Sequence, residues 1–230
     1  MGLSQRRSLR SRAWSALVVL TVVMALLLFV PAGTLRYWQA WVYLAVFVAA
    51  SALTTLFLMQ RDPALLERRM RGGPGAETRP TQRVIMLAAS GCYIGLFAVS
   101  ALDRRYGWTR VPAILTLVSD LCVAVGFYFI YLVYRENTFT SATIEIAADQ
   151  KVISTGPYAI VRHPMYGSAL LYLGGTPVAL GSYWGLTAFA AMLPFLIWRL
   201  FDEEKMLAES LPGYREYQQR VRHRLIPGIW

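Results

Sequence analysis

The chain has 230 residues, 56% of them hydrophobic and only 16% charged, against about 25% charged in a typical soluble domain. Its net charge is +10, and 21 of the 23 basic residues are arginine, placed between long uncharged runs; this points to membrane topology and away from a nucleic-acid surface. Two cysteines, Cys92 and Cys122, and two histidines, His163 and His223, are too few and too scattered for a structural zinc site or a disulfide framework.

The first twelve residues are basic and polar. Residues 13–30 then run for 18 positions without a charge. Pro31-Ala32-Gly33 leads directly into a second run and no cleavage site follows the first, so it reads as a retained helix. Further uncharged runs cover 38–59 and 84–102, and 112–134 carries Asp120 as its single charge. Each is long enough for a hydrocarbon core, which takes roughly 20 helical residues. Residues 164–198 form a run of 35 uncharged residues, too long for one crossing. Gly181-Ser182 breaks it, beside Tyr183 and Trp184 as interfacial anchors, and a tight hairpin of two short spans results.

These runs predict an all-α polytopic membrane bundle of about six transmembrane helices, with a C-terminal hairpin and a cytoplasmic helical cap. Residues 1–134 hold four spans and the 60–83 loop, a short basic helix followed by a Gly/Pro linker. Residues 135–230 hold the remaining region. Residues 138–150 are polar and non-periodic, which predicts irregular structure at the cytoplasmic face. With six spans, 19 Lys and Arg fall on the side of both termini and four (Arg36, Arg104, Arg105, Arg110) on the other. That bias predicts cytoplasmic termini, in a membrane such as a bacterial inner membrane. After Trp198, helical spacing continues through RLFDEEKMLAESL, breaks at Leu211-Pro212-Gly213 and resumes with Tyr214, Tyr217 and Val221 on one face. The apolar tail RLIPGIW is expected to fold back over the cytoplasmic helix ends.

Three clusters could carry chemistry. Pro164 suits the first turn of the fifth span, which sets Arg162 and His163 at its mouth. That helix start offers N–H groups and a positive dipole end to a carboxylate, or else its residues are interfacial anchors. Arg199 and Glu203 are four apart and share a helix face, either at a site or as a surface ion pair. Asp120 is a functional candidate because ionisable groups are costly inside a membrane. It lies nearer the outer face, far from the other two clusters, and reads as a packing or interhelical hydrogen-bond residue.

Together, GPYAIVRHPMY at 156–166, the glycine- and leucine-rich hairpin, RLFDEEKML and the closing YREYQQRVRHRLIP resemble the isoprenylcysteine carboxyl methyltransferase family, which is related to phospholipid N-methyltransferases. RDPALLERRM also resembles bacterial members. The resemblance covers 135–230 well and 60–71 weakly. It implies a membrane helix bundle whose C-terminal half is the catalytic region and takes S-adenosylmethionine from the cytosolic side. Gln150, Lys151, Val152, Ile153 and Tyr158 would then line the cofactor pocket, Gln150 standing where the family often has a histidine. His163, Pro164, Met165 and Tyr166 would wrap the cofactor, and Glu203 would contact it. Arg199 would be the catalytic and substrate-binding residue, holding a lipophilic or prenylated acceptor that enters from the bilayer. A carboxylate acceptor suits this set, since it is already ionised and needs no general base. Phospholipid N-methylation, an NADPH-dependent reductase of the sterol type and a non-catalytic scaffold are the rival expectations.

Overall fold

The computed structural model describes residues 3–143 and 150–230. Among them are eight α-helices and no strand: α1 (Leu3–Ala32), α2 (Trp38–Arg61), α3 (Pro63–Met70), α4 (Pro80–Tyr106), α5 (Ala113–Glu136), α6 (Pro164–Ala179), α7 (Gly185–Ser210) and α8 (Tyr214–Arg220). Five of these, α1, α2, α4, α5 and α7, are long and apolar enough to cross a membrane. The chain is thus an integral membrane helix bundle. The sixth expected span is α6, whose 16 residues reach about 24 Å.

The basic N-terminus is part of α1 rather than a separate segment. Leu9 and Ala13, one turn apart, are buried on Leu58 of α2 and on Leu65 and Leu66 of α3, so the helix continues past the apolar run. α3 starts cleanly because the Asp62 carboxylate accepts the Leu65 N–H at 2.9 Å and Pro63 occupies the first turn. Deeper in the bundle, Met24 and Leu28 of α1, Tyr43 and Phe47 of α2, and Leu96 and Phe97 of α4 form the main core.

α6 packs closest on α5. A Cβ on Gly126 would stand 2.8 Å from the Tyr172 Cβ, and one on Gly175 would stand 3.2 Å from the Ser119 carbonyl. Small residues let the two backbones approach, the usual device in membranes. This packing bears on Asp120, which is buried on α5. Neither carboxylate oxygen has a hydrogen-bond partner, nor does Thr116 Oγ1 one turn away. Of the two expected roles, the interhelical hydrogen bond is not found among the described residues, and the burial of Asp120 fits packing.

The hairpin turn falls where the glycine predicts it, with Gly181 at φ +74°. At that end of the bundle a polar knot ties the α4–α5 loop to the hairpin. Asp103 accepts from the Thr109 N–H at 2.7 Å and from the Ser182 hydroxyl at 2.6 Å. Tyr37 donates to the Leu180 carbonyl at 2.6 Å, and Trp108 and Trp184 stand exposed beside it. At the opposite end α7 runs on to Ser210, and α8 buries Tyr214 and Tyr217 with Leu211 against Val152 and Leu207.

Candidate active site

At this second end, α4, α6, α7, residues 137–143, residues 150–158 and α8 line a half-open cavity of about 470 Å³. That volume lies within the usual range for small-molecule sites. Gln150 to Ile153, Tyr158, His163 to Tyr166, Arg199 and Glu203 all line it, so the residues singled out from the sequence come together. Part of the 138–150 stretch expected to be irregular, 144–149, lies outside the described residues; 138–143 has no helix or strand. Toward the membrane the wall is apolar and aromatic: Met86 and Tyr93 from α4, Tyr172 and Leu173 from α6, Met192 and Leu196 from α7.

The mouth of α6 is built by Glu204, which follows Glu203 in the charged cluster after Arg199. Glu204 Oε1 takes Arg162 Nε at 2.7 Å, Oε2 takes Arg224 Nε at 2.8 Å, and His163 Nε2 stands 3.3 Å from Oε1. Arg162 also donates to the Val221 and Arg222 carbonyls, both at 2.8 Å. The backbone N–H groups of Arg162 and His163, just before α6, are already committed. They donate to the His223 and Arg224 carbonyls, each at 2.9 Å. The returning tail supplies these acceptors, and side-chain patterns carry no trace of them. His163 precedes the helix but makes no side-chain cap.

Arg199 and Glu203 part company. Arg199 is buried and forms an ion pair with Glu77 at 2.8 Å. It also donates to Gln82 Oε1 at 2.7 Å and to the Ala142 carbonyl at 3.0 Å. Glu203 accepts the Tyr166 hydroxyl at 2.6 Å. The surface i,i+4 pair is therefore absent: burial favours partners that hold each group fully, and these come from other elements. Nothing in the sequence marked Glu77 or Gln82, which follow the Gly/Pro linker. Tyr158, between these groups, is fixed from both sides: Asn137 donates to its hydroxyl at 2.9 Å, and Tyr217 donates to its carbonyl at 2.7 Å.

Among the described residues of the cavity wall, the buried Tyr214 hydroxyl has no hydrogen-bond partner, while His163 Nε2 faces the Glu204 carboxylate without a well-aligned hydrogen bond. Burial pushes the Tyr214 phenol well up, so it remains a donor at neutral pH. Buried polar groups ordinarily find partners, so the Tyr214 hydroxyl suits a polar ligand.

Fold and site together define a polytopic helical membrane protein with a half-open pocket of small-molecule size at one end of the bundle. Residues 114–212 match the phospholipid methyltransferase family model, in line with the resemblance read from the sequence. Over 111 residues the chain is 29% identical to the cobalt-zinc-cadmium resistance protein CzcN of Cupriavidus metallidurans, a match covering 46% of this chain and 50% of that protein. The chain thus spans about half the length of this curated relative.

Proposed function

We propose that this protein is an S-adenosylmethionine-dependent membrane methyltransferase acting on a lipophilic acceptor, above all the carboxylate of an isoprenylcysteine-like molecule. One observation carries the reading: the segments that resemble the family's cofactor and acceptor residues surround a single cavity at a membrane face.

The residues fit such a cofactor. It carries a carboxylate, an ammonium, hydroxyls and a purine, and the cavity offers Lys151, Glu203, His163, the unpartnered Tyr214 hydroxyl, and aromatic walls. Bound there, it would supply an electrophilic methyl group on a sulfonium. Glu203, oriented by Tyr166, offers a carboxylate for the ammonium. Arg199 offers a planar fork for the acceptor carboxylate. Such a nucleophile is already ionised, so holding it in line supplies most of the rate. The Met86–Tyr93 wall and its neighbours would take the acceptor's apolar part from the bilayer.

A phospholipid amine is the second reading, favoured by the family match, with His163 on the cavity wall as the candidate general base.

The test is calorimetric titration of detergent-purified protein with S-adenosylhomocysteine and, separately, NADPH. S-adenosylhomocysteine should bind at micromolar affinity, and His163→Ala and Glu203→Ala should each weaken it at least about tenfold, the cost of a charge-assisted contact. Arg199→Ala should leave this binding within about twofold while turnover falls on the order of 100-fold. NADPH binding without S-adenosylhomocysteine binding would move the protein to reductase chemistry.

A further inference from the structure

We propose that Glu77 and Gln82 are positioning residues for Arg199, and that the segment joining α3 to α4 thereby sets how the acceptor is held. The proposal rests on the reading of Arg199 as the acceptor-holding group. Both residues lie outside the 114–212 stretch that matches the family, so the match assigns them nothing.

Glu77 is 2% exposed and Gln82 0%, in a segment whose composition marks it as a linker. They are buried because they meet α7. Gln82 is held at both ends of its amide: Oε1 accepts from Arg199 at 2.7 Å, and Nε2 donates to Asp202. Asp202 is in turn paired with Arg79 at 2.8 Å. One turn of the α4 entrance is thereby bound to one turn of α7, and the amide is oriented with its oxygen toward the guanidinium.

The consequence lies in the fork geometry. Arg199 Nη1 faces both Glu77 and Gln82. A bidentate carboxylate needs two parallel N–H groups; with Nη1 committed to Glu77 and Gln82 and one Nη2 N–H given to the Ala142 carbonyl, what remains is Nε with the second Nη2 N–H. Glu77 and Gln82 thus choose the edge that Arg199 can present. Glu77 also balances a buried cation that would otherwise stand uncompensated.

The experiment compares Glu77→Gln, Gln82→Met, Arg199→Ala and the Glu77→Gln/Arg199→Ala double variant. Methyl transfer to N-acetyl-S-farnesylcysteine and S-adenosylhomocysteine affinity are both measured. Each single variant at Glu77 or Gln82 should lower kcat at least about tenfold with cofactor affinity held within about twofold. In the double variant, Glu77→Gln should add nothing to the loss from Arg199→Ala, because its effect passes through that side chain. Wild-type turnover in both single variants, a further loss in the double variant, or parallel loss of cofactor affinity would each overturn the proposal. Should the wild type not methylate this probe, the acceptor reading fails by itself, and phenylglyoxal labelling of Arg199 decides the positioning role. Labelling should be at least about fivefold faster in Glu77→Gln or Gln82→Met, as expected once a charge-assisted partner is removed. Unchanged labelling in both overturns the proposal.

Discussion

Three tyrosines that wall the cavity outside the spans share one electrostatic situation. Burial raises the phenols of Tyr158 and Tyr214 and pushes Tyr217 up to about 12. The unfolded chain titrates these groups near 10.0, whereas the folded protein keeps them neutral to higher pH. Protons are therefore retained in the native state and lost from the unfolded one above pH 10. The stability they contribute is complete below that pH and falls as pH rises toward the folded values. Thermal unfolding followed from pH 8 to 11 should show a steep loss beginning near pH 10, with a shallower slope in Tyr214→Phe. An identical slope in the variant would remove Tyr214 from the account.

At the scale of elements, the C-terminal tail does more than cover the helix ends. Its carbonyls at 221–224 hold the backbone and guanidinium of Arg162 and the His163 N–H, while Arg224 shares Glu204. Removing residues 221–230 should therefore cost several kcal/mol, since each lost bond to a charged group is worth roughly 1.5–3 kcal/mol. S-adenosylhomocysteine affinity should fall with it, because His163 loses its support. Arg222→Ala should change stability by less than about 0.5 kcal/mol, as its exposed side chain is replaced while its carbonyl stays. Differential scanning fluorimetry with and without the ligand checks both. The same contacts explain what the sequence could disclose. The hairpin, α8 and the return of the tail were legible because glycine, proline and aromatic spacing mark them. The partners of Arg162 were not, since backbone carbonyls have no signature. Glu77 was hidden for a different reason: its linker composition says nothing about a packing that depends on α7, more than a hundred residues later. Of the two roles open to Asp120, packing and interhelical hydrogen bonding, burial between close-packed helices fits the first, and no hydrogen bond reaches its carboxylate among the described residues.

For the molecule as a whole, the two ends of the bundle differ in kind. One end carries the Leu9–Leu58–Leu65 cluster, the cavity and the tail; the other carries the Asp103 knot, Trp108 and Trp184. The 19 basic residues sorted to one side by the sequence fall at the cavity end, which proposes a cytoplasmic cavity within reach of a soluble cofactor. The four opposing arginines do not contradict this. Arg104 and Arg105 donate to the Arg36 and Pro31 carbonyls, capping the C-terminal end of α1 and its loop, so their placement has a local cause. Single cysteines introduced into a variant lacking Cys92 and Cys122 test the orientation, using an impermeant maleimide on right-side-out and inverted vesicles. Residue 222 should label only when the cytoplasmic face is outward, and residue 108 only when the opposite face is. The reverse pattern would put the cavity on the far side from cytoplasmic S-adenosylmethionine, and the methyltransferase reading would then lack a donor even with every residue of the site in place.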